Sequence, residues 1–270
     1  MRNIKSIYRS NVVSTLSLPL FLGLVFLSLW QIIVTALAVP KFVLPSPLLI
    51  WHAFASNFWL LMESLWFTLT VTIEAFLAAV LGGIAMAVIF SQSRLVARAF
   101  FPYAVILQVT PIVSIAPLIV IWVGYDHIRI ALLILAWIVA FFPILSNTTA
   151  GLRATDHNLY NLMQIYNASR WQILAQIQFP GALPYILTGM KISGGLSLIG
   201  VVVAEFVAGS GSSNGLAWRI LEAGNRLDIP SMFAALALLS LLGVLIFLAM
   251  SGVEYLLLRR WHESALQREN

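Results

Sequence analysis

The sequence has no cysteine, only three lysines, and few charged residues of either sign. Each shortage excludes something. Without cysteine there is no disulfide framework, no zinc-finger spacing and no thiol nucleophile. The lysines are Lys5, Lys41 and Lys191, and none follows a glycine, so the chain has no Gly-Lys-Ser/Thr phosphate loop. Any ATP used must bind a partner chain, and no cofactor site is expected here. Charged residues make up 9% of the 270, against about 25% in soluble domains. That is too few to solvate a compact surface, and it excludes a soluble enzyme, a disordered chain and a fibrous repeat. What is abundant is apolar: 61% of residues, with a mean hydropathy of +0.96. The class is a polytopic membrane protein embedded in a lipid bilayer.

The net charge of +5 would suggest nucleic acid in a soluble chain. Here it reflects basic residues flanking spans, and no nucleic-acid partner is expected. Stretches 10–40, 75–93, 99–125, 130–152 and 229–253 contain no Asp, Glu, Lys or Arg. Each is long enough for the ~20 residues that cross a ~30 Å hydrocarbon core. A sixth stretch, 185–207, is interrupted by Lys191 and Glu205. Helices are expected near 16–38, 65–90, 100–122, 128–149, 185–207 and 232–257. The windows do not alternate polar with apolar, which argues against barrel strands. The first apolar run is longer than the ~7–15 residues of a signal peptide and is read as an uncleaved span.

Six spans place both termini on one side. With the N-terminus inside, Arg2, Lys5, Arg9, Arg94, Arg98, Arg153, Arg170, Arg259, Arg260 and Arg268 fall inside, and Lys41, Arg129, Arg219 and Arg226 outside. The positive-inside rule favours cytoplasmic termini. The expected layout is a cytoplasmic tail over 1–15, a transmembrane domain over 16–257 and a cytoplasmic tail over 258–270. Within the domain, 150–184 is the longest internal cytoplasmic loop.

That loop carries the clearest local signals. Leu159, Leu162, Met163 and Tyr166 fall at helical spacing, with Asp156 placed to cap the helix they form. Asn167 is positioned to end it in the left-handed conformation that asparagine tolerates better than most residues. Ser169 with Gln172 reads as a capping box that starts a second helix. Trp171, Leu174 and Ile177 line one face of it, and Pro180 and Pro184 are expected to end it. The product is helix, corner, helix: a knob for another protein to hold, or a hairpin lying on the headgroups.

These residues resemble the EAA loop of permease subunits of bacterial ABC importers, a pattern written EAA-x3-G-x9-I-x-L-P. Asn167 stands at the glycine and is followed by Ala168 and Ser169; Ile177 and Pro180 stand at the end of the pattern, with Phe179 for Leu. Asn161, Leu162 and Met163 stand where EAA would. Phe42-Val-Leu-Pro-Ser-Pro47, Pro111, Ala116-Pro117-Leu118, Trp122-Val-Gly124, Gly181-Ala-Leu-Pro184, Gly189 and Ala204-Glu205 resemble successive pieces of the nitrate/sulfonate/taurine-type permeases. The resemblance implies an all-α type I importer permease of about six transmembrane helices in the bacterial inner membrane. It also implies a second permease copy, giving a homodimer, together with two ATPase subunits and a solute-binding protein. The residues of 158–168 would then be the coupling helix. The implied cargo is a sulfonate, a nitrate-like anion, or a vitamin or pyrimidine precursor.

Other features stay open. Gly211-Ser-Ser-Asn-Gly215 fits the G-x-S-x-G pattern, but it follows a span instead of a strand and reads as a turn. The histidines lack metal-ligand spacing, and no enzymatic activity is expected. Candidates for the translocation path or an outer gate are Glu205, Gly209, Gly211, Gly215 and Glu74. Glu74 is also a candidate partner for a basic group on a neighbouring helix, and Lys191 a snorkelling structural residue. The aromatic residues of 41–63 suit a headgroup anchor or a docking face for the binding protein. A lone ion-coupled transporter is the alternative, with Glu74, Glu205 and Glu254 as its acids.

Overall fold

The computed structural model describes residues 3–208 and 214–259; for residues 3–17 only the backbone course is described. Eleven α-helices are present among the described residues: α1 (Asn3–Ala36), α2 (Pro47–Ser56), α3 (Phe58–Gln92), α4 (Arg94–Val109), α5 (Ile112–Val123), α6 (Ile128–Arg153), α7 (His157–Ile165), α8 (Arg170–Ile173), α9 (Phe179–Ala208), α10 (Leu216–Asn225) and α11 (Ile229–Leu258). Five stretches are long and apolar enough to cross a membrane, and the bent pair α4–α5 makes a sixth.

The centre of the bundle is α6 against α9. In the most apolar stretch of α6, 61% of residues are buried inside the chain, against 6% in α1. Small residues make this possible. A Cβ on Gly200 would stand 2.7 Å from the Ala136 Cα, and one on Gly151 would stand 3.0 Å from the Ala182 Cα. Ser193 donates to the Ala140 carbonyl at 2.7 Å. The pairings 136 with 200, 140 with 193 and 151 with 182 run in opposite senses, with a nearly constant sum of residue numbers. Two antiparallel helices thus touch backbone to backbone, where apolar side chains gain nothing over lipid and close approach does the work.

Around this pair lie α3, whose Gly83 faces Ile144, and α11, which meets Gly194 through Ile246 and Met250. Helix α1 is peripheral and touches α11 through Trp30 and Phe233.

Three expectations need correction. The span read at 100–122 is two helices meeting at 99°. Pro111 cannot extend the α4 ladder and holds Thr110 in an extended conformation (φ −65°, ψ 123°). Second, Pro180 and Pro184 do not separate the loop helix from the fifth span: Arg170–Ala208 is one candidate span. Leu174–Gln178 forms a π turn closed by the Phe179 N–H on the Leu174 carbonyl. The ladder restarts there, so Pro180 falls in a first turn, where a missing N–H costs little. Third, 41–63 is mostly helical: α2 starts at Ser46, whose hydroxyl accepts from the Leu49 N–H, with Pro47 in its first turn.

Replacing Gly200 with Ala should cost about 1–3 kcal/mol by forcing α6 and α9 apart. Gly195→Ala, where a Cβ meets nothing within 4 Å, should not lower stability. Thermal unfolding of both variants in detergent checks the contrast.

Candidate functional site

The polar chemistry divides between the two ends of the bundle. At the end away from the termini, a buried cluster joins three helices. Helix α10 begins at Gly215, which has no side chain with which to cap the free N–H groups of the first turn. The caps come from elsewhere. Glu205 on α9 is fully buried, and its Oε2 accepts from the Ala217 N–H at 2.9 Å. Thr68 on α3, also fully buried, accepts from the Leu216 N–H at 2.9 Å and donates to Glu205 Oε1 at 2.9 Å. A negative carboxylate on a helix N-terminus is favourable electrostatically as well as through its hydrogen bonds. A Cβ at Gly215 would overlap the carboxylate itself, so the glycine is required by space. Arg219, one turn on, reaches back to Ser64 of α3 at 3.0 Å and to Glu222 at 2.8 Å.

Of the candidate path residues, Glu205 and Gly215 therefore come together, and both are used in seating α10. Gly209 and Gly211 lie outside the described residues. Glu74 is on another face of α3, in a two-pronged ion pair with Arg129 of α6 that is about half exposed. Arg129 also stands 6.0 Å from the Phe67 ring, beside a cavity of about 350 Å³ that includes Glu63 and Trp66. Lys191 pairs with Glu254 of α11 at 3.1 Å and lies 4.9 Å from the Phe247 ring.

At the opposite end the loop after α6 has the expected local geometry. The Asp156 carboxylate accepts from the Asn158 N–H at 2.8 Å and caps α7. Asn167 has φ 54°. Its N–H bonds to the Gln164 carbonyl at 2.9 Å, and the Ala168 N–H bonds to the Met163 carbonyl at 3.0 Å. That pair of bonds is a Schellman closure with asparagine in the left-handed position. The capping box is complete: the Gln172 N–H donates to Ser169 Oγ at 3.3 Å, and the Ser169 N–H donates to Gln172 Oε1 at 2.7 Å. Ile177 and Pro180 lie in and just after the π turn, at the foot of α9.

No residue of α7 is buried. Its sequence is nevertheless amphipathic, and Leu159, Leu162 and Ile165 are exposed along with Tyr166 and, across the corner, Trp171. A helix of nine residues is too short to persist on propensity alone and needs packing for its apolar face. Asn161 and Met163 lie on the same helix, and Ala168 and Ser169 form the corner.

Helix α10 and its cap were not read from the sequence. Leu216, Ile220 and Leu221 before Ala-Gly-Asn are a weak helical signal, and Thr68 has no local pattern that singles it out.

Comparison with known proteins gives a consistent answer. The family model described as "Binding-protein-dependent transport system inner membrane component" matches residues 79–262. The chain is 33% identical to the riboflavin transport system permease protein of Chloroflexus aurantiacus, over 92% of this chain and 91% of that protein. It is 32% identical to the formylaminopyrimidine transport permease protein of Halalkalibacterium halodurans, over 89% and 94% respectively. Among solved structures, an inward-facing methionine ABC transporter superposes with a TM-score of 0.61 at 19% identity, covering 74% of this chain and 96% of that one. That likeness bears on the fold alone.

Two outcomes follow from this geometry. Glu205→Ala should strand buried donors at Thr68 and Ala217, costing about 1–3 kcal/mol for each orphaned group, and Thr68→Ser should be far milder than Thr68→Val. Thermal unfolding in detergent measures both. At the corner, Asn167→Gly should be tolerated, whereas Asn167→Val should cost about 1–2 kcal/mol or more because of its positive φ; limited proteolysis at the corner reports it.

Proposed function

The chain belongs to the family of binding-protein-dependent transport system inner membrane components, and from that premise we propose that α7 is the element through which ATPase subunits drive it. The permease forms the path for a small solute across the membrane. The observation carrying the reading is that a well-capped helix leaves its apolar face exposed, with no cover among the described residues. An exposed apolar patch on a rigid knob marks a protein contact. The left-handed corner and the π turn tie that knob to α9, the most deeply packed partner of α6. Movement of the knob is therefore delivered to the centre of the bundle.

The working unit in this reading is a homodimer of the permease with two ATPases and a solute-binding protein. ATP stays on the partner, since this chain has no phosphate loop. Basic residues place both termini and α7 on the cytoplasmic side of the inner membrane. The domain layout is a transmembrane unit over 16–257 between two tails, with 150–184 as the coupling loop. The outer gate falls at the Glu205–Gly215 junction, with Gly209 and Gly211 between them in sequence and the Glu74–Arg129 pair on another face of α3. The lone ion-coupled alternative is disfavoured because its acids are engaged: Glu74 with Arg129, Glu254 with Lys191, and Glu205 with α10.

For cargo, a planar heteroaromatic solute is favoured over an inorganic anion. Stretch 99–125 holds no cation that would retain an anion, and the outer cavity presents Trp66 and Phe67 beside Arg129. Two relatives that match nearly full length are named for riboflavin and formylaminopyrimidine.

Leu159→Glu with Leu162→Glu should lower ATP-dependent uptake in proteoliposomes by at least about tenfold, since each apolar contact is worth roughly 1.5–3 kcal/mol. Membrane insertion and α-helical content should be unchanged. Coupled uptake at the normal rate in this variant overturns the assignment of α7.

A further inference from the structure

A cavity of about 1090 Å³ lies at the same end as α7, between the last turns of α3 and α6 and the first turns of α4 and α7. Arg94, Arg98, Arg153 and Arg170 line it, with His157, and no Asp or Glu does. The four arginines are exposed at the mouth of the cavity and none has an ion pair among the described residues, whereas Arg129, Lys191, Arg219 and Arg226 each meet a carboxylate. Asp156, the nearest acid in sequence, is taken up by the Asn158 N–H.

Helix ends do not account for the arrangement. Two C-termini, of α3 and α6, and three N-termini, of α4, α7 and the short α8, meet at the cavity, so their partial charges offset one another in large part. What remains is a concentration of guanidinium charge that no Asp or Glu among the described residues balances. Like charges sharing a cavity repel, and the apolar packing of Ala97 and Ala104 of α4 against the core containing Phe90 and Leu152 keeps them together. The guanidinium fork matches phosphate oxygens in pairs. The other wall is apolar, with Phe90 and Phe101 at a ring-centroid separation of 6.4 Å. Cationic and apolar walls meeting where spans leave the bilayer suit a group with a phosphate head.

We infer that this cavity is a phosphate-binding site, filled by the headgroup of an anionic phospholipid or by free phosphate. His157 and Tyr160 of α7 also line the cavity, but the inference does not rest on the assignment of α7 as the ATPase contact.

The test uses the full chain in its assembled transporter. In one arm, native mass spectrometry compares retained phosphatidylglycerol with retained phosphatidylcholine. In the other, thermal shift with inorganic phosphate is measured in phosphatidylcholine nanodiscs. Wild type should keep phosphatidylglycerol preferentially. Arg94→Gln with Arg98→Gln should weaken that retention about thirtyfold, from about 1 kcal/mol for each basic residue at a membrane surface. Arg259→Gln, a basic change outside the cavity, should leave it unchanged. Loss of phosphatidylglycerol preference combined with an arginine-dependent shift by inorganic phosphate assigns the source to free phosphate. If the double variant does not insert, Arg98→Gln alone, on the exposed side of α4, carries the same comparison. Equal behaviour of wild type and variant in both arms overturns the inference.

Discussion

A bilayer offers no water to hydrogen-bond a loose backbone group, and that constraint shapes every break in this chain. A continuous helix meets it without help. The informative places are those where the helix stops. At the start of α10 the chain re-enters the packed region with a glycine at the cap, and the missing acceptors arrive from 12 residues earlier in Glu205 and from α3 in Thr68. At Leu174–Gln178 the ladder widens to a π turn and so carries a proline-containing segment without a gap. At Thr110–Pro111 no such device is present, and the span bends by 99°.

The same constraint governs how closely the helices pack. Lipid is as apolar as leucine, so α6 and α9 are held by contact area and by the Ser193–Ala140 hydrogen bond, with no hydrophobic gain to add. Gly151 and Gly200 remove side-chain thickness where the backbones cross. A central pair built in this way is stiff along its length. The α8 and π-turn connection and Glu205 stand at opposite ends of α9. The loop and the buried carboxylate belong to one mechanical element, Arg170–Ala208.

Local devices were legible in the sequence because their partners lie within a few residues. Asp156, Asn167 and the Ser169–Gln172 box each close a hydrogen bond inside one turn, and their residue types reveal it. The six apolar stretches were legible for a similar reason: the absence of charge is a property of the window itself. Glu205 was visible as a costly acid, but its purpose was not, because Thr68 lies 137 residues away in sequence. The pairing of Lys191 with Glu254 was equally hidden, since 63 residues separate them. The bend at Pro111 escaped because proline is common inside transmembrane helices, and Pro102, Pro117, Pro143 and Pro184 all sit within helices here.

The distribution of charge then acquires a second meaning. Basic residues near the inner face orient a membrane protein by their number, and orientation alone asks nothing of their arrangement. In this chain Arg129, Lys191, Arg219 and Arg226, toward the far end and middle of the bundle, meet carboxylates, while the exposed Lys41 does not. Arg94, Arg98, Arg153 and Arg170 come from three separate stretches of chain and converge on one cavity. Topogenic charge could be met by side chains scattered over the loops. Convergence from the start of α4, the end of α6 and the start of α8 requires the folded bundle, so it is a property of the native state. A charge cluster that exists only after folding is a feature of the folded protein, and no acid among the described residues lines the cavity that holds it.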